Sequence, residues 1–259
     1  MRFATWNVNS VRARLDHLRD WLAAERPDVV CLQETKVVDA DFPFAALAEV
    51  GYRAEVSGQK SYNGVAVLAR DGLELADPEH GIPGFEDPQR RCLAATVSGV
   101  RVIDVYVPNG SEVGSEKYAY KLDWLARFAE HLERVVAGHP RLLVAGDFNV
   151  APADLDVHDP DLWRDKVLCS APEREALDAL RACGLVDLFR ELHADAPGFS
   201  WWDYRMNAYR RKRGLRIDLV LASRAMAESC TACRVDTAPR GLEKPSDHAP
   251  VVARFDLGE

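Results

Sequence analysis

Carboxylates follow the apolar rows of two predicted strands. In residues 28–34, alternate side chains share one face of a strand, and Glu34 continues the apolar row on that face. In residues 141–147, Asp147 continues an apolar row in the same way. Gly146 precedes it and permits a sharp exit or a close approach of the backbone. Both carboxylates are therefore candidates for a site at the strand ends.

Amide and phenol groups end two further predicted strands. Asn7 continues the face of residues 3–5, Asn9 has the same parity, and Tyr106 ends a strand before Pro108. Oxygen ligands of this kind suit hard cations such as Mg²⁺ or Mn²⁺, whereas zinc prefers sulfur and imidazole, which are scarce nearby in sequence. Alternatively, each polar residue merely ends a strand at the surface. Only convergence in space separates the two interpretations.

A histidine and two aspartates add acid–base chemistry near the C-terminus. His248 adjoins Asp247 in a loop bounded by prolines, and Asp218 lies within the apolar run 216–221. A carboxylate inside an apolar strand is costly unless it is paired. We expect Asp218 to pair with His248, which would orient the imidazole and favour its protonated form.

The densest basic stretch covers residues 205–216 and follows the Trp201-Trp202 pair. It predicts a loop that binds the phosphate backbone of a nucleic acid, and a solvated surface loop is the alternative. The predicted contacts are cations of this loop and one earlier arginine: Arg205, Arg210, Arg211, Lys212 and Arg91. Other cations are equally well explained as ordinary surface charges: Arg12, Arg14, Lys36, Lys60 and Arg90.

Short strand patterns with a few long helices must position these groups. Strands are predicted over 2–6, 28–33, 52–56, 63–69, 93–97, 100–106, 141–146, 216–222 and 250–255. Helices are predicted over 11–25, with Ser10 as the cap, over 115–137 and over 173–183. This mixture favours α+β layers over a regular βαβ winding.

Composition limits the classes of protein. The 259 residues are 47% hydrophobic, enough for one large core, and we expect a single domain over 1–259. No apolar run is long enough for a membrane span, and no secretory signal is visible, so a cytoplasmic location is expected. The net charge of −8 argues against indiscriminate nucleic-acid binding, although a local basic face is sufficient for DNA.

Six cysteines raise the question of a metal or redox site. Cys31 lies in an apolar run and is expected to be buried. Cys230 and Cys233 form a C-x-x-C motif, but no second pair follows at zinc spacing. Ordinary reduced thiols are therefore the favoured interpretation.

Several motifs together resemble exonuclease III and the abasic-site endonucleases of the endonuclease/exonuclease/phosphatase superfamily. The likeness extends from about residue 2 to about residue 255, and the motifs are weak singly but specific in combination. In order they are Thr5-Trp6-Asn7-Val8-Asn9, Leu32-Gln33-Glu34-Thr35-Lys36, Tyr106-Val107-Pro108-Asn109-Gly110, Gly146-Asp147-Phe148-Asn149, Gly214-Leu215-Arg216-Ile217-Asp218 and Ser246-Asp247-His248-Ala249-Pro250.

The resemblance implies a four-layer α/β sandwich of DNase I type, with two packed mixed β-sheets flanked by helices. It implies Mg²⁺ or Mn²⁺ held mainly by Glu34. The other residues expected at or near the metal are Asn7, Asn9, Asp147, Asn149, Asp247 and His248. Two positions depart from the family pattern, because Ser10 stands where many members have Gly and Asn109 replaces a Gln of some bacterial relatives.

The resemblance also implies roles for the catalytic residues. Asp147 and Asn149 match positions that orient the attacking water and bind phosphate, and Tyr106 matches a phenol beside the scissile phosphate. His248 matches a phosphate-binding imidazole with Asp218 as its partner. Asp147 is our candidate for the general base and His248 is the alternative. An apolar pocket for the baseless sugar is expected at Trp201, Leu215 and Ile217, although Ile217 fits a core position nearly as well.

The implied activity is Mg²⁺-dependent incision 5′ to abasic sites in double-stranded DNA, with removal of 3′ blocking groups and 3′→5′ exonuclease activity. A monomer without an obligate protein partner is expected. One rival is a phosphatase or phospholipase of the same superfamily, which would lack the basic loop with its aromatic neighbour. Another rival is an inactive nucleic-acid-binding regulator on the same fold. Every expected catalytic position carries a competent residue, which counts against this alternative.

Overall fold

A computed structural model describes residues 1–258. Its strands are β1 (Arg2–Asn7), β2 (Val29–Gln33), β3 (Tyr52–Ser57), β4 (Val65–Arg70), β5 (Leu75–His80), β6 (Cys92–Val97), β7 (Val100–Tyr106), β8 (Leu142–Asp147), β9 (Leu185–Asp187), β10 (Asp218–Ser223), β11 (Cys230–Val235) and β12 (Val251–Phe255). Its α-helices are α1 (Leu15–Glu25), α2 (Phe44–Ala48), α3 (Glu116–Gly138), α4 (Pro160–Trp163), α5 (Ala171–Ala182), α6 (Leu188–Leu192) and α7 (Arg224–Glu228).

The strands form two six-stranded mixed sheets. The first has the order β11-β12-β1-β2-β4-β3 and the second the order β5-β6-β7-β8-β10-β9. One parallel pair lies inside each sheet, β1 with β2 and β7 with β8, and each pair is connected through a helix, α1 or α3. Each parallel pair places the C-terminal ends of its two strands at the same rim of its sheet.

Three apolar layers hold the sandwich together. The inner layer joins the two sheets and contains Phe3, Val29, Cys31, Val67, Leu143 and Val220. A second layer packs α1 and α2 on the first sheet, and a third packs α3 and α5 on the second sheet. The expected four-layer sandwich is therefore confirmed, and Cys31 is fully buried as predicted. All six cysteines are free thiols.

Three hydrogen-bonded polar residues lie inside the inner layer. The Gln33 side chain donates through Nε2 to Asp104 Oδ1 at 2.6 Å and to Thr5 Oγ1 at 2.9 Å. All three residues are fully buried. Burial raises the pKa of Asp104 well above its ordinary value, which favours the neutral carboxylic acid.

The helix predictions need one correction. The first helix begins at Leu15 and has Arg14, not Ser10, at its N-cap position, because residues 11–14 form turns. The cap of α3 is Ser115, whose Oγ accepts from the Tyr118 amide. Three strands are additional to those predicted: β5, β9 and β11. Within residues 1–258, no helix is both long enough and apolar enough to cross a membrane.

Candidate active site

Asn7 connects the two sheets at the rim where the inner strands end. It is the last residue of β1, and Asp147 is the last residue of β8. The Asn7 side chain donates through Nδ2 to Glu34 Oε1 at 2.9 Å and to Asp147 Oδ2 at 3.0 Å. One buried amide therefore holds two carboxylates that are distant in the sequence.

In the loops that follow β1 and β2, the Lys36 ammonium joins the side-chain oxygens of Glu34 and Asn9. Glu34 has a left-handed backbone with φ 52°, and Lys36 Nζ lies 2.8 Å from Glu34 Oε2. The same ammonium donates to Asn9 Oδ1 at 2.6 Å, and Asn9 donates to Asp247 Oδ1 at 2.9 Å. Ser10 has φ 89°, a conformation that costs a side-chain-bearing residue more than it costs glycine. Lys36 thus links Glu34 to Asn9, and Asn9 in turn contacts Asp247.

Asp147 directly follows a backbone position, Gly146, that only glycine can occupy. A Cβ on Gly146 would lie 1.9 Å from the Val105 carbonyl oxygen, and the Gly146 φ is 147°. β8 therefore approaches β7 closely just before Asp147. The Asp147 side chain is almost fully buried and accepts the Asn149 backbone amide at 2.9 Å. Burial raises its pKa to about 7, and cationic His248 opposes that rise.

His248 is held between two aspartates. Its Nδ1 lies 2.9 Å from Asp218 Oδ2, and its Nε2 lies 3.7 Å from Asp147 Oδ2. Ser200 fixes the Asp218 carboxylate by donating to Oδ2 at 2.6 Å. Burial alone lowers the pKa of His248, but Asp218 and Asp147 outweigh burial and raise it to about 10. The expected pairing is present, and the imidazolium is the favoured form at neutral pH.

Glu34, Asp147 and His248 form a cluster that could hold a metal ion, because one ligand atom of each lies within 4.8 Å of the others. The two carboxylates and the nearby amide oxygens fit a hard cation. A protonated imidazole has no free lone pair and cannot ligate a metal. The two roles predicted for His248, metal ligand and cationic donor, therefore exclude each other at any moment.

Tyr106, Asn149 and Asn109 line the side of the cluster formed by the second sheet. Asn149 donates to the Val107 carbonyl at 3.0 Å and accepts from Asn109 at 3.1 Å, so its amide is firmly oriented. Burial, and next the Glu34 carboxylate, raise the pKa of Tyr106 well above its ordinary value. The Arg91 guanidinium lies 4.8 Å from the centre of the Tyr106 ring. The phenol consequently remains protonated and can donate.

Lys121 was not predicted from the sequence, but it fixes the loops that carry Asn109 and Asn149 by hydrogen bonds from inside the protein. Its ammonium is fully buried, donates to the Asn149 carbonyl at 2.6 Å and the Asn109 carbonyl at 3.2 Å, and pairs with buried Glu173. The signal was available, because Lys121 lies three residues after Tyr118 and four before Leu125, on the apolar face of α3. A lysine on a buried helix face requires a partner.

Trp201, Leu215 and Ile217 do meet, as expected. They pack in one apolar cluster with Trp163, whose ring centre lies 6.5 Å from that of Trp201. Trp201 is half-buried and donates to Asp247 Oδ2 at 3.0 Å, which ties this cluster to the site. Leu215 and Ile217 are buried beneath it, so the core alternative considered for Ile217 fits the structure.

The basic stretch divides into an exposed and a buried part. Arg205 is exposed and pairs with Asp203, and the remaining predicted contacts are also exposed: Arg210, Arg211 and Lys212. Arg216, in contrast, is buried and forms ion pairs with Asp156 at 2.6 Å and Asp187 at 2.8 Å. Arg216 ends the basic stretch in sequence but does not belong to its exposed surface, since its guanidinium pairs with both aspartates inside the protein.

Two packed mixed sheets with a carboxylate–imidazole cluster at one rim define a DNase I-like fold with a metal-type site. The chain belongs to the Endonuclease/Exonuclease/phosphatase family, whose profile matches residues 4–248. This confirms the resemblance seen in the motifs.

Individual relatives and solved structures are similar to nearly the whole chain. "Exodeoxyribonuclease III" of Haemophilus influenzae is 37% identical, with coverage of 98% of this chain and 100% of the relative. "DNA repair nuclease APEX1" of Danio rerio is 32% identical, with coverage of 97% and 81%. Among solved structures, a 3′ phosphatase from Neisseria bound to a product DNA hairpin is 46% identical with a TM-score of 0.96, and 99% of each chain is covered. An AP endonuclease from Archaeoglobus fulgidus is 39% identical with a TM-score of 0.94, and coverage is 99% and 100%.

Proposed function

We propose that this chain is a metal-dependent DNA-repair nuclease that incises 5′ to abasic sites and removes 3′-terminal nucleotides and blocking groups. The observation that carries the proposal is the convergence of Glu34, Asp147 and His248 within 4.8 Å at the rim of a fold shared with named repair nucleases. The cytoplasmic location, the single domain and the monomeric state expected from the sequence remain part of this proposal.

The metal that best fits is Mg²⁺ or Mn²⁺, with Glu34 as the main ligand. The Asn9 oxygen accepts from the same Lys36 ammonium that contacts Glu34, Asp247 accepts from Asn9, and sulfur ligands do not occur in the cluster. A bound divalent ion would neutralise negative charge on a phosphate oxygen. The Lys36 ammonium contacts the side-chain oxygens of Glu34 and Asn9, so it must give up at least one of these contacts when an ion binds there.

Asp147 is our choice for the general base. Its pKa of about 7 allows it to take a proton from water near neutral pH, whereas a pKa of about 10 keeps His248 protonated. His248 instead donates a charge-assisted hydrogen bond to the phosphoryl oxygens. Tyr106 and the remaining N–H of the Asn149 amide, whose other N–H donates to the Val107 carbonyl, would donate from the other side and fix the phosphate for in-line attack.

The substrate proposal rests on surface charge and on relatives. Exposed cations at Arg205, Arg210, Arg211 and Lys212 follow the Trp201 cluster, so a phosphate backbone could lie along them while a baseless sugar contacts Trp201. The Neisseria relative described as a 3′ phosphatase supports 3′-end processing as one of the activities.

One gel tests the proposal. An end-labelled duplex with a single abasic analogue, and a second duplex ending in a 3′-phosphate, are incubated with the protein and Mg²⁺ or with EDTA. We expect cleavage 5′ to the lesion and loss of the 3′-phosphate in Mg²⁺ alone. Turnover of inositol phosphate or sphingomyelin with intact DNA would instead establish the phosphatase or phospholipase alternative. Tight nucleic-acid binding without any cleavage would establish the inactive regulator.

A further inference from the structure

A large apolar groove lies on the face of the molecule where α6 approaches β11. Its volume is about 640 Å³, within the range of roughly 300–1,000 Å³ typical of ligand-binding clefts. We call it the Trp202 groove. Its apolar lining comes mainly from Phe189, Ala196, Phe199, Trp202, Tyr209 and Val235.

The walls of the Trp202 groove are fixed by contacts within the protein. His193, after α6, donates through Nε2 to the Cys233 carbonyl of β11 at 2.7 Å. The Tyr209 hydroxyl donates to the Thr237 carbonyl at 3.1 Å, and the Arg240 guanidinium lies 5.0 Å from the centre of the Tyr209 ring. A groove that is already shaped loses little conformational entropy when a ligand binds.

Cations border this apolar surface. Arg210, Lys212 and Arg234 line the groove and are exposed. Arg234 already pairs with Glu25 at 2.8 Å. Within residues 1–258, Arg210 and Lys212 lie more than 4.0 Å from every carboxylate oxygen. This is notable in a chain with 41 acidic and 33 basic residues, since carboxylates are in excess.

We propose that the Trp202 groove binds an acidic peptide segment of a partner protein, with a large apolar side chain in the groove and carboxylates on Arg210 and Lys212. A pocket that desolvates one apolar anchor, surrounded by complementary charge, is the usual core of a peptide site. The proposal goes beyond the nuclease activity and requires neither metal nor DNA. Because the proposed function places Arg210 and Lys212 along a DNA backbone, it implies that peptide and DNA compete for these two cations.

Nucleic acid fits the groove less well. The backbone of a DNA duplex offers phosphates and sugars but no apolar group large enough to fill an apolar cleft. Single strands bind by stacking bases on exposed ring faces. Trp202 and Phe189 are only 5% and 7% exposed, so they form the floor of the groove and offer little open ring face, whereas Ala196, Phe199 and Val235 are partly exposed along its walls. The groove therefore favours a side chain that inserts over a base that stacks.

Fluorescence anisotropy with a defined probe tests the proposal. The probe is a fluorescein-labelled octapeptide of four aspartates followed by Leu, Trp, Leu and Phe, and its controls replace the aspartates by lysines or the apolar residues by serines. We expect a dissociation constant in the micromolar range for the probe and at least about tenfold weaker binding of both controls.

Matched variants locate the site. Ala196→Asp places a carboxylate in the groove, and Ala194→Asp places one two residues earlier at an exposed position outside the lining. We expect Ala196→Asp to weaken probe binding at least about tenfold and Ala194→Asp to leave it within about twofold. The double variant Arg210→Glu/Lys212→Glu changes exposed side chains only and should weaken binding as strongly.

Several outcomes overturn the proposal. It fails if the lysine control peptide binds as well as the probe. It also fails if Ala196→Asp, Ala194→Asp and Arg210→Glu/Lys212→Glu all bind the probe as tightly as the unmodified protein does. It also fails if an oligothymidylate of ten nucleotides displaces the probe and loses its own binding in Ala196→Asp, because the occupant would then be single-stranded DNA. None of these measurements involves catalysis, so the nuclease proposal would stand in each case.

Discussion

Replacing Asp218 by asparagine should lower the pH at which activity is lost on the alkaline side. Asp218 faces His248 Nδ1 through both oxygens, at 2.9 and 3.1 Å. Asparagine has the same shape and keeps an oxygen that accepts from this nitrogen, but it removes the negative charge. The change thus isolates the electrostatic effect of Asp218, which raises the pKa of both His248 and Asp147.

The size of the effect follows from the pKa of His248. Its rise from 6.5 to about 10 corresponds to on the order of 5 kcal/mol in favour of the charged form. Burial opposes this rise, and without Asp218 only Asp147 and Asp247 still favour the cation. If Asp218 supplies even half of the gain, the alkaline limb moves down by about two pH units. Above that limb the donor to phosphate is neutral, and kcat should fall by up to about a hundredfold.

The assay is a pH profile of kcat on the abasic duplex between pH 6 and pH 11, combined with NMR titration of the histidine ring in metal-free protein. Activity of the unmodified enzyme should rise as Asp147 deprotonates near pH 7 and fall as His248 deprotonates near pH 10. The Asp218→Asn variant should move the acidic limb to lower pH, because the Asp218 charge also raises the pKa of Asp147, and it should lose part of the alkaline plateau.

Asp104→Asn is the matched control. Asp104 is also fully buried on the second sheet, but it contacts Gln33 instead of His248, and its raised pKa favours a neutral group before the substitution. Its profile should retain the alkaline limb. If Asp218→Asn leaves the limb and the NMR-detected pKa of His248 unchanged, the imidazolium does not depend on Asp218 and the reasoning is refuted.

Three further predictions concern activity, metal and stability. Asp147→Ala and His248→Ala should each lower kcat at least about a hundredfold in steady-state assays, and near-normal turnover in either would remove that residue from the mechanism. Mg²⁺ should raise the melting temperature of the unmodified protein in calorimetry but not that of Glu34→Gln, whereas equal shifts would place the ion elsewhere. Lys121→Met should cost about 3–5 kcal/mol of unfolding free energy in urea, because it leaves Glu173 buried without its partner, and the double variant with Glu173→Leu should recover much of the loss.

Alternation along β8 was enough to identify Asp147, which continues the apolar row of Leu143 and Ala145. The alternation proposed for Glu34 does not hold, because β2 ends at Gln33 and Glu34 has a left-handed backbone, while Val30 and Leu32 pack in the layer of α1. The pairing of Asp218 with His248 could also be anticipated, since a carboxylate in a buried strand needs a partner. That they converge with Asn7 depends on how two sheets pack, which no local pattern encodes.

Other parts of the site depend on long-range geometry. The ion pair of Lys121 with Glu173 joins α3 to α5 across 52 residues, and its partners were invisible before the fold was known. Arg216 looked like part of a basic surface, but burial between Asp156 and Asp187 gives it a different role. The strands that escaped prediction were β9, with three residues, and two strands at or near sheet edges, where the apolar alternation is weak.

The division of the site between two sheets has a consequence for folding. Asn7 and Glu34 belong to one sheet and its loops, whereas Asp147 and Asp218 belong to the other. Neither half of a nascent or partly unfolded chain can assemble the reactive constellation, so incomplete molecules would be harmless to the genome. After dilution from denaturant, recovery of cleavage should consequently lag behind recovery of the far-ultraviolet circular dichroism signal. Cleavage activity would then report when the two sheets pack against each other.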